Sequence, residues 1–258
     1  MKITRKEFLE LSGLSILGAG ALRAVHAVKA AESAHANSLP SDSPKKQMAL
    51  AIDLRKCRRR PGCNLCSQAC HATHNVPHIA DPRHEVKWIW NEGFASVFPL
   101  EQNGYTRRNY NGSPLPVLCN HCEKPPCVEV CPTGATWKRS EDGVVMMDWH
   151  RCIGCKYCIT ACPYGARSFN FSEPREALQQ VNPDFPTRSL GVVEKCNFCA
   201  ERLAKGEAPA CVEACPEKAI VFGDVLDASS DVSKALDASY SIRRKPELGT
   251  GPNVFYFL

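Results

Sequence analysis

Near the start of the chain, apolar residues run from Leu11 to Leu22, broken only by Ser and Gly. The basic segment Thr4-Arg5-Lys6 stands before this run, and an Ala-rich stretch ending Ala34-His35-Ala36 stands after it. About 12 residues are apolar here, fewer than the ~20 that span a bilayer. Basic, apolar, then small-x-small is the order of an export signal, predicted over residues 1–36 with a polar linker over 37–48. Further on the pattern is weaker. Asp142-Gly143 before Val144-Val145 predicts a hairpin turn and a short strand. Ser229–Ser239 is polar and reads as a helical segment. The chain closes Pro252-Asn-Val-Phe-Tyr-Phe-Leu258, an apolar tail that needs burial on itself or on a neighbour. Between residues 72 and 118 lie Trp88, Trp90, Phe94, Phe98, Tyr105 and Tyr110. An aromatic insert of this length packs against the rest of the fold or forms a partner interface.

Composition changes the picture at one residue type. The 258 residues include 16 cysteines, and these fall into four groups of four. The third group, Cys152-Ile-Gly-Cys155-Lys-Tyr-Cys158-Ile-Thr-Ala-Cys162-Pro163, is the bacterial ferredoxin run. Three closely spaced thiolates wrap one [4Fe–4S] cube, and the fourth cysteine, on a departing helix, reaches the other cluster of a pair. The second group is Cys119, Cys122, Cys127 and Cys131-Pro132. The crossing rule then predicts Cys119, Cys122, Cys127 and Cys162 on one cluster, and Cys131, Cys152, Cys155 and Cys158 on another. The fourth group is Cys196, Cys199, Cys211 and Cys215-Pro216. The first is Cys57, Cys63, Cys66 and Cys70, with His71 where the proline stands elsewhere. These two predict a cluster on Cys57, Cys63, Cys66 and Cys215, and one on Cys70, Cys196, Cys199 and Cys211. Cys57 is the weakest ligand, because Arg58-Arg59-Arg60-Pro61-Gly62 fills a gap normally two residues long. Three clusters with a degenerate site there remain the alternative.

The expected fold is therefore α+β: two interleaved bacterial-ferredoxin-like lobes with two [4Fe–4S] clusters each and loop-rich insertions. Lobe one is 119–170. Lobe two joins 49–80 to 190–225. The insert is 81–118, the four-cluster domain 49–225 and the C-terminal extension 226–258.

Other chemistries fit less well. Disulfide frameworks belong to much shorter exported chains. Zinc ribbons use paired C-x2-C and do not explain three groups ending in Cys-Pro. Cys66-Ser-Gln-Ala-Cys70-His71 is one residue too long for haem attachment. Cys119-Asn-His121 is half a Rieske pattern without its second half, so His121 reads as a hydrogen-bonding neighbour. His74, His78, His84 and His150 lack metal spacing. No Gly-rich nucleotide loop, Ser/His/Asp set or flavin motif appears. Four-thiolate clusters leave no open iron, so the chain is expected to bind no small-molecule substrate and to be no enzyme by itself.

The formal charge is +5, but residues 1–36 hold five Lys/Arg and three Asp/Glu, leaving +3 beyond them. Each cluster with its thiolates adds roughly −2. The loaded protein is then net acidic, and nucleic acid is no expected partner. Arg55, Lys56, Arg58, Arg59 and Arg60 beside the first cluster read as a solvated loop or as a docking surface for an acidic partner.

With the motifs placed, a resemblance is visible. Cys119-Asn-His-Cys122-Glu-Lys-Pro-Pro-Cys127-Val-Glu-Val-Cys131-Pro-Thr-Gly-Ala-Thr, Cys152–Gly165 and Cys196-Asn-Phe-Cys199-Ala-Glu-Arg-Leu resemble the iron–sulfur subunits of bacterial respiratory complexes, including the dimethyl sulfoxide, polysulfide and tetrathionate reductases. The likeness covers roughly residues 49–225. Cys70-His-Ala-Thr-His-Asn-Val-Pro and Asp81-Pro-Arg-His-Glu-Val-Lys-Trp-Ile-Trp look narrower, like the DsrO family of the DsrMKJOP complex linked to sulfite reduction. That resemblance implies electron relay between an NrfD-type integral membrane subunit (DsrP-like), which interacts with quinone, and a multihaem cytochrome c (DsrJ-like). It implies a periplasmic place, held at the membrane through the partner. Arg5-Lys6 with Phe8-Leu9 resembles a twin-arginine signal with Lys for the second Arg, a route that carries folded, cluster-loaded proteins; a Sec signal is the alternative. The rival complex is a periplasmic molybdopterin reductase, with this chain as its iron–sulfur subunit.

Overall fold

Met48-Ala-Leu-Ala-Ile-Asp53 is apolar at nearly every position, which suits a strand covered on both faces. It forms β1 (Met48–Asp53) in the computed structural model, which describes residues 45–258. The expected export signal and most of the linker lie outside the described residues. Next come α1 (Leu54–Cys57) and α2 (Leu65–Thr73). The aromatic insert holds β2 (Ile89–Gly93), α3 (Phe94–Val97) and α4 (Gly104–Tyr110), and β3 (Pro114–Leu118) closes it. Then follow α5 (Pro126–Glu129), β4 (Thr136–Lys138), β5 (Val145–Met147), α6 (Tyr157–Ala161) and β6 (Ser168–Phe169). The last third contains β7 (Val193–Glu194), α7 (Ala200–Leu203), α8 (Ala210–Glu213), β8 (Ile220–Asp224), α9 (Asp231–Ala238), β9 (Ser241–Arg243) and β10 (Val254–Phe257). Helix and strand are mixed throughout.

The main sheet has the order β8-β1-β10-β9. β1 pairs antiparallel with β8 and parallel with β10, in the register Leu50–Val254 and Ile52–Tyr256. The apolar tail is thus buried on its own chain, in the interior of the sheet. Ala49 and Ala51 turn to one face, where Val232 of α9 covers them. Leu50 and Ile52 turn to the other and enter the main core with Trp88, Val117, Phe198 and Tyr256. Ser230 caps α9 by accepting from the Ser233 N–H, so the helix begins two residues inside the expected segment.

Among the described residues, three two-stranded ladders accompany this sheet: β2-β3, β4-β5 and β6-β7. β4-β5 is the expected hairpin, with Gly143 in the left-handed region at its turn. β6 pairs with β7, which ties residues 168–169 to 193–194. The main core likewise takes in Cys119 and Cys122 together with Cys70, Cys196 and Cys211. In the insert, Trp88, Phe94, Phe98 and Tyr110 are buried, whereas Tyr105 is exposed. The insert therefore packs inward. Losing one such buried aromatic typically costs about 3–5 kcal/mol.

Candidate metal centres

The cysteine motifs share a backbone device. The residue just before the second cysteine of each group is Gly62, His121, Gly154 or Phe198, and all four have positive φ, between 41° and 74°. A left-handed residue reverses the chain there and turns successive thiols toward one point. It costs a non-glycine residue energy, so His121 and Phe198 need compensation. Their rings stack on each other with centroids 3.7 Å apart. The Val145 N–H donates to His121 Nδ1 at 3.1 Å, which makes His121 the expected hydrogen-bonding neighbour. In the first group the turn falls on Gly62. The arginine loop lengthens the gap, yet the same turn precedes Cys63 as precedes the second cysteine elsewhere.

The proline after the fourth cysteine sets where each helix stops, because it disfavours helical backbone in the residue before it. α5, α6 and α8 all end before their Cys-Pro. A turn follows in each, closed by N–H donation from Gly134 to the Cys131 carbonyl, Gly165 to Cys162, and Lys218 to Cys215. Cys70 has no proline after it, and α2 runs on through His71 to Thr73.

These turns bring the thiols together in the four expected quartets. Cys57, Cys63, Cys66 and Cys215 line one cavity, with Leu65, Asn91 and Ile220. Cys119, Cys122, Cys127 and Cys162 line a second, beside Tyr164 and Arg167. Cys131, Cys152, Cys155 and Cys158 line a third, with Met147 and Val193. Cys70, Cys196, Cys199 and Cys211 are all buried, and the last three act on the charge of Cys70. α2 carries Cys66 and Cys70, joining the first quartet to this fourth one. Lys195 feels both Cys119 and Cys196, so the Cys70 and Cys119 quartets are neighbours. α5 carries Cys127, and Cys131 follows it by two residues, which joins the Cys119 and Cys131 quartets. The four sites thus succeed one another in a single file.

All sixteen thiols are free of disulfides. Burial pushes Cys57 up to about 11 and Cys66 and Cys122 up to about 12, with neighbouring thiols adding to it. Burial likewise drives Cys70 and Cys196 well above the usual range. Such a group ionises only against a cation of its own, and four convergent thiolates are the donor set of a [4Fe–4S] cluster. The residues therefore fit iron.

Buried cations stand between the sites. Arg167 is 4% exposed and donates through Nη2 to Cys127 Sγ at 3.1 Å and to Thr136 Oγ1 at 2.8 Å. Lys195 is fully enclosed and donates to the carbonyls of Val145 and Cys196. His74 faces two acceptors, the Cys70 carbonyl at 2.8 Å from Nδ1 and Glu201 Oε1 at 2.7 Å from Nε2. Burial lowers its pKa, but hydrogen bonds to Cys199 and Glu201 outweigh that and raise it to about 9. His74, Cys199 and Glu201 lie within 4.8 Å of one another, a grouping its sequence spacing did not suggest. Cys199 already belongs to a quartet and both imidazole nitrogens have partners, so His74 serves the fold there. Arg188 and Glu194 form a fully buried pair at 2.6 Å, with the Trp88 Nε1–H and Asn170 Nδ2–H also donating to Glu194. Backbone N–H groups of Phe198, Ala210 and Ala219 point at the sulfurs of Cys196, Cys199 and Cys215.

Sequence reasoning missed Arg167, Lys195 and the Arg188–Glu194 pair. The only available signal was a charge inside a cysteine-rich stretch, as in Lys195-Cys196.

Known proteins bear on these sites. The 4Fe-4S dicluster domain family matches residues 111–179 and 181–225. The chain is 39% identical to the Hdr-like menaquinol oxidoreductase iron–sulfur subunit 1 of Archaeoglobus fulgidus, over 98% of this chain and 97% of that one. It is 36% identical to the menaquinone reductase iron–sulfur cluster-binding subunit of Nitratidesulfovibrio vulgaris, over 82% and 89%. It is 37% identical to the arsenate respiratory reductase iron–sulfur subunit ArrB of Shewanella sp., over 81% and 95%. With sixteen thiols in place for four [4Fe–4S] clusters, the chain belongs to this family of iron–sulfur subunits of oxidoreductase complexes and transfers electrons within one.

Proposed function

We propose that this chain relays electrons, through the quartets in the order Cys57, Cys70, Cys119, Cys131 or its reverse, between an NrfD-type membrane subunit that reacts with quinone and a multihaem cytochrome c. Each [4Fe–4S] cluster, when bound, takes up and releases one electron. The chain's own residues hold the thiolates rigidly, exclude water and set the local charge. The observation that carries this reading is the single file of four thiol quartets, each sharing a helix or a buried cation with the next. A pair of ferredoxin-like lobes accounts for it: 119–170, and 49–80 with 190–225. Two relatives whose names carry menaquinol and menaquinone support a quinone-linked complex. The finer reading is a DsrO-type subunit of a sulfite-reduction-linked complex, exported by the twin-arginine route to the periplasm. The relay has no substrate of its own.

Gentle solubilisation of membranes, capture of this chain and mass spectrometry of what accompanies it tests the partners. An NrfD-type subunit with a c-type cytochrome is the expected outcome. A large molybdopterin subunit would instead make the chain the electron-transfer subunit of a terminal reductase.

A further inference from the structure

The insertion in the first cysteine group builds a surface. Arg58-Arg59-Arg60-Pro61-Gly62 is exposed along its whole length, while Cys57 and Cys63 at its two ends are half-buried in the wall of the first quartet's cavity. The loop is held in place. The Arg58 N–H donates to Leu54, the Arg59 N–H to Lys56, the Arg60 N–H to Cys57 and the Cys63 N–H to Arg60. Side chains pin two of the three guanidiniums. Arg58 donates to Asn109 Oδ1 at 2.7 Å and lies over the Tyr110 ring, and Arg60 donates to Glu217 at 2.9 Å. Arg59 has no ion-pair partner among the described residues. Asn109 lies in the last turn of α4, which adds exposed Arg107 and Arg108. Lys56 and Lys218 meet on the other side, Lys56 Nζ donating to the Lys218 carbonyl. The nearby carboxylates are few: Asp53, tied to Arg55; Glu217, tied to Arg60; and Glu92, next to Asn91 of the cavity wall.

This collar runs against the charge of the whole. Beyond residue 36 the chain carries +3, and four clusters bring the loaded protein to roughly −5. A basic rim beside the half-buried wall of one terminal site, on a net-acidic protein, has a directional field that a solvated loop does not need. We propose that this rim is the docking surface for an acidic, carboxylate-rich face of the redox partner that exchanges electrons with the Cys57 quartet. Arg58, Arg59 and Arg60 make its centre, and Arg107 and Arg108 its flank. At the opposite terminal site, around Cys155, exposed Ile153 and Tyr157 stand among the exposed basic side chains of Arg151 and Lys156. This inference rests on the relay reading.

The test uses the four-cluster protein, reduced anaerobically and mixed in stopped flow with one of two one-electron oxidants. Plastocyanin, acidic, accepts one electron per Cu(II); mitochondrial cytochrome c, basic, accepts one per Fe(III). Steering by a complementary face changes association rates by 10- to 1,000-fold and fades as salt rises. The plastocyanin rate is expected to fall at least tenfold between about 20 and 200 mM salt, in spite of the protein's net negative charge. Combined Arg58→Gln, Arg59→Gln and Arg60→Gln should abolish that dependence with iron content and electron paramagnetic resonance unchanged. Should the triple variant lose its first cluster, Arg107→Gln with Arg108→Gln, which border no cysteine, should weaken the dependence by several-fold. A plastocyanin rate that ignores salt, or that both variants leave at the wild-type value, overturns the docking surface while the relay stands. A reduced protein that passes electrons to neither oxidant sinks the relay reading, and the docking surface with it.

Discussion

Replacing Arg167 with Gln removes a buried positive charge from beside one cluster while leaving every cysteine in place. Its Nη2 sits 3.1 Å from Cys127 Sγ, and Cys127 and Cys158 are the thiols that act most strongly on it. Two unit charges 4 Å apart interact by about 4 kcal/mol at the effective dielectric that describes protein sites. The electron that reduces a cluster is shared over the whole cube, so roughly half of that, about 2 kcal/mol, favours the reduced form. For a one-electron couple, about 59 mV corresponds to a tenfold change in equilibrium constant. The midpoint of the Cys119, Cys122, Cys127 and Cys162 cluster should therefore drop by about 60–120 mV in the Gln variant. The Cys131, Cys152, Cys155 and Cys158 cluster should drop less, and the Cys57 cluster should not move. Arg167→Lys keeps the charge and should recover part of the drop. Redox titration followed by electron paramagnetic resonance reads all four midpoints. A shift below about 20 mV with all clusters retained, or an equal shift of all four, would refute the claim that this guanidinium tunes its neighbour.

Cys57→Ala should remove a quarter of the bound iron and only the first cluster's signal, since the other three quartets do not use this thiol; full iron content would show that Cys57 is no ligand. Arg188→Met leaves Glu194 charged in a site closed to water, and breaking such a pair costs about 3–5 kcal/mol. Thermal unfolding of the loaded protein should then move down by several degrees, and an unchanged midpoint would mean that the pair is not buried in solution. Gly154→Ala places a methyl group against the Gly191 carbonyl at a φ of +68°. It should selectively weaken the Cys131, Cys152, Cys155 and Cys158 site, seen as faster loss of one cluster to a chelator.

The chemistry of this chain is written in short, local signals, and those are legible. Three thiols within seven residues, as in Cys152 to Cys158, leave little freedom, so their grouping follows from spacing alone. The pairing of Cys57 with Cys215, far apart along the chain, also follows, because the crossing rule links motifs rather than neighbours. The hairpin at Asp142-Gly143 and the burial of the apolar tail were readable for the same local reasons. What escaped was set by tertiary contact. Nothing in Ser168-Phe169 says that it pairs with Val193-Glu194. Nothing in Arg167, Arg188 or Lys195 distinguishes an enclosed cation from the exposed Arg59. Burial of such a charge depends on acceptors delivered by other segments, here Cys127, Glu194 and the carbonyls of Val145 and Cys196. His74 is the same case, since Glu201, far along the chain, supplies the partner that fixes its ring.

The central pair of the main sheet joins β1 to β10, strands that lie some two hundred residues apart. Each hydrogen bond of that pair closes a very long loop, and contacts of such sequence separation form late and slowly. A ribosome making this protein must reach Phe257 before Ile52 and Tyr256 can meet. The β4-β5 hairpin and the motifs around it need no such wait. Iron delivered during synthesis would therefore find the Cys119 and Cys152 motifs ready first. The Cys57 motif, which follows directly on β1, must wait for Cys215 to complete its quartet and for β8 to pair with β1. Loading of that site then reports that synthesis has passed the fourth cysteine group.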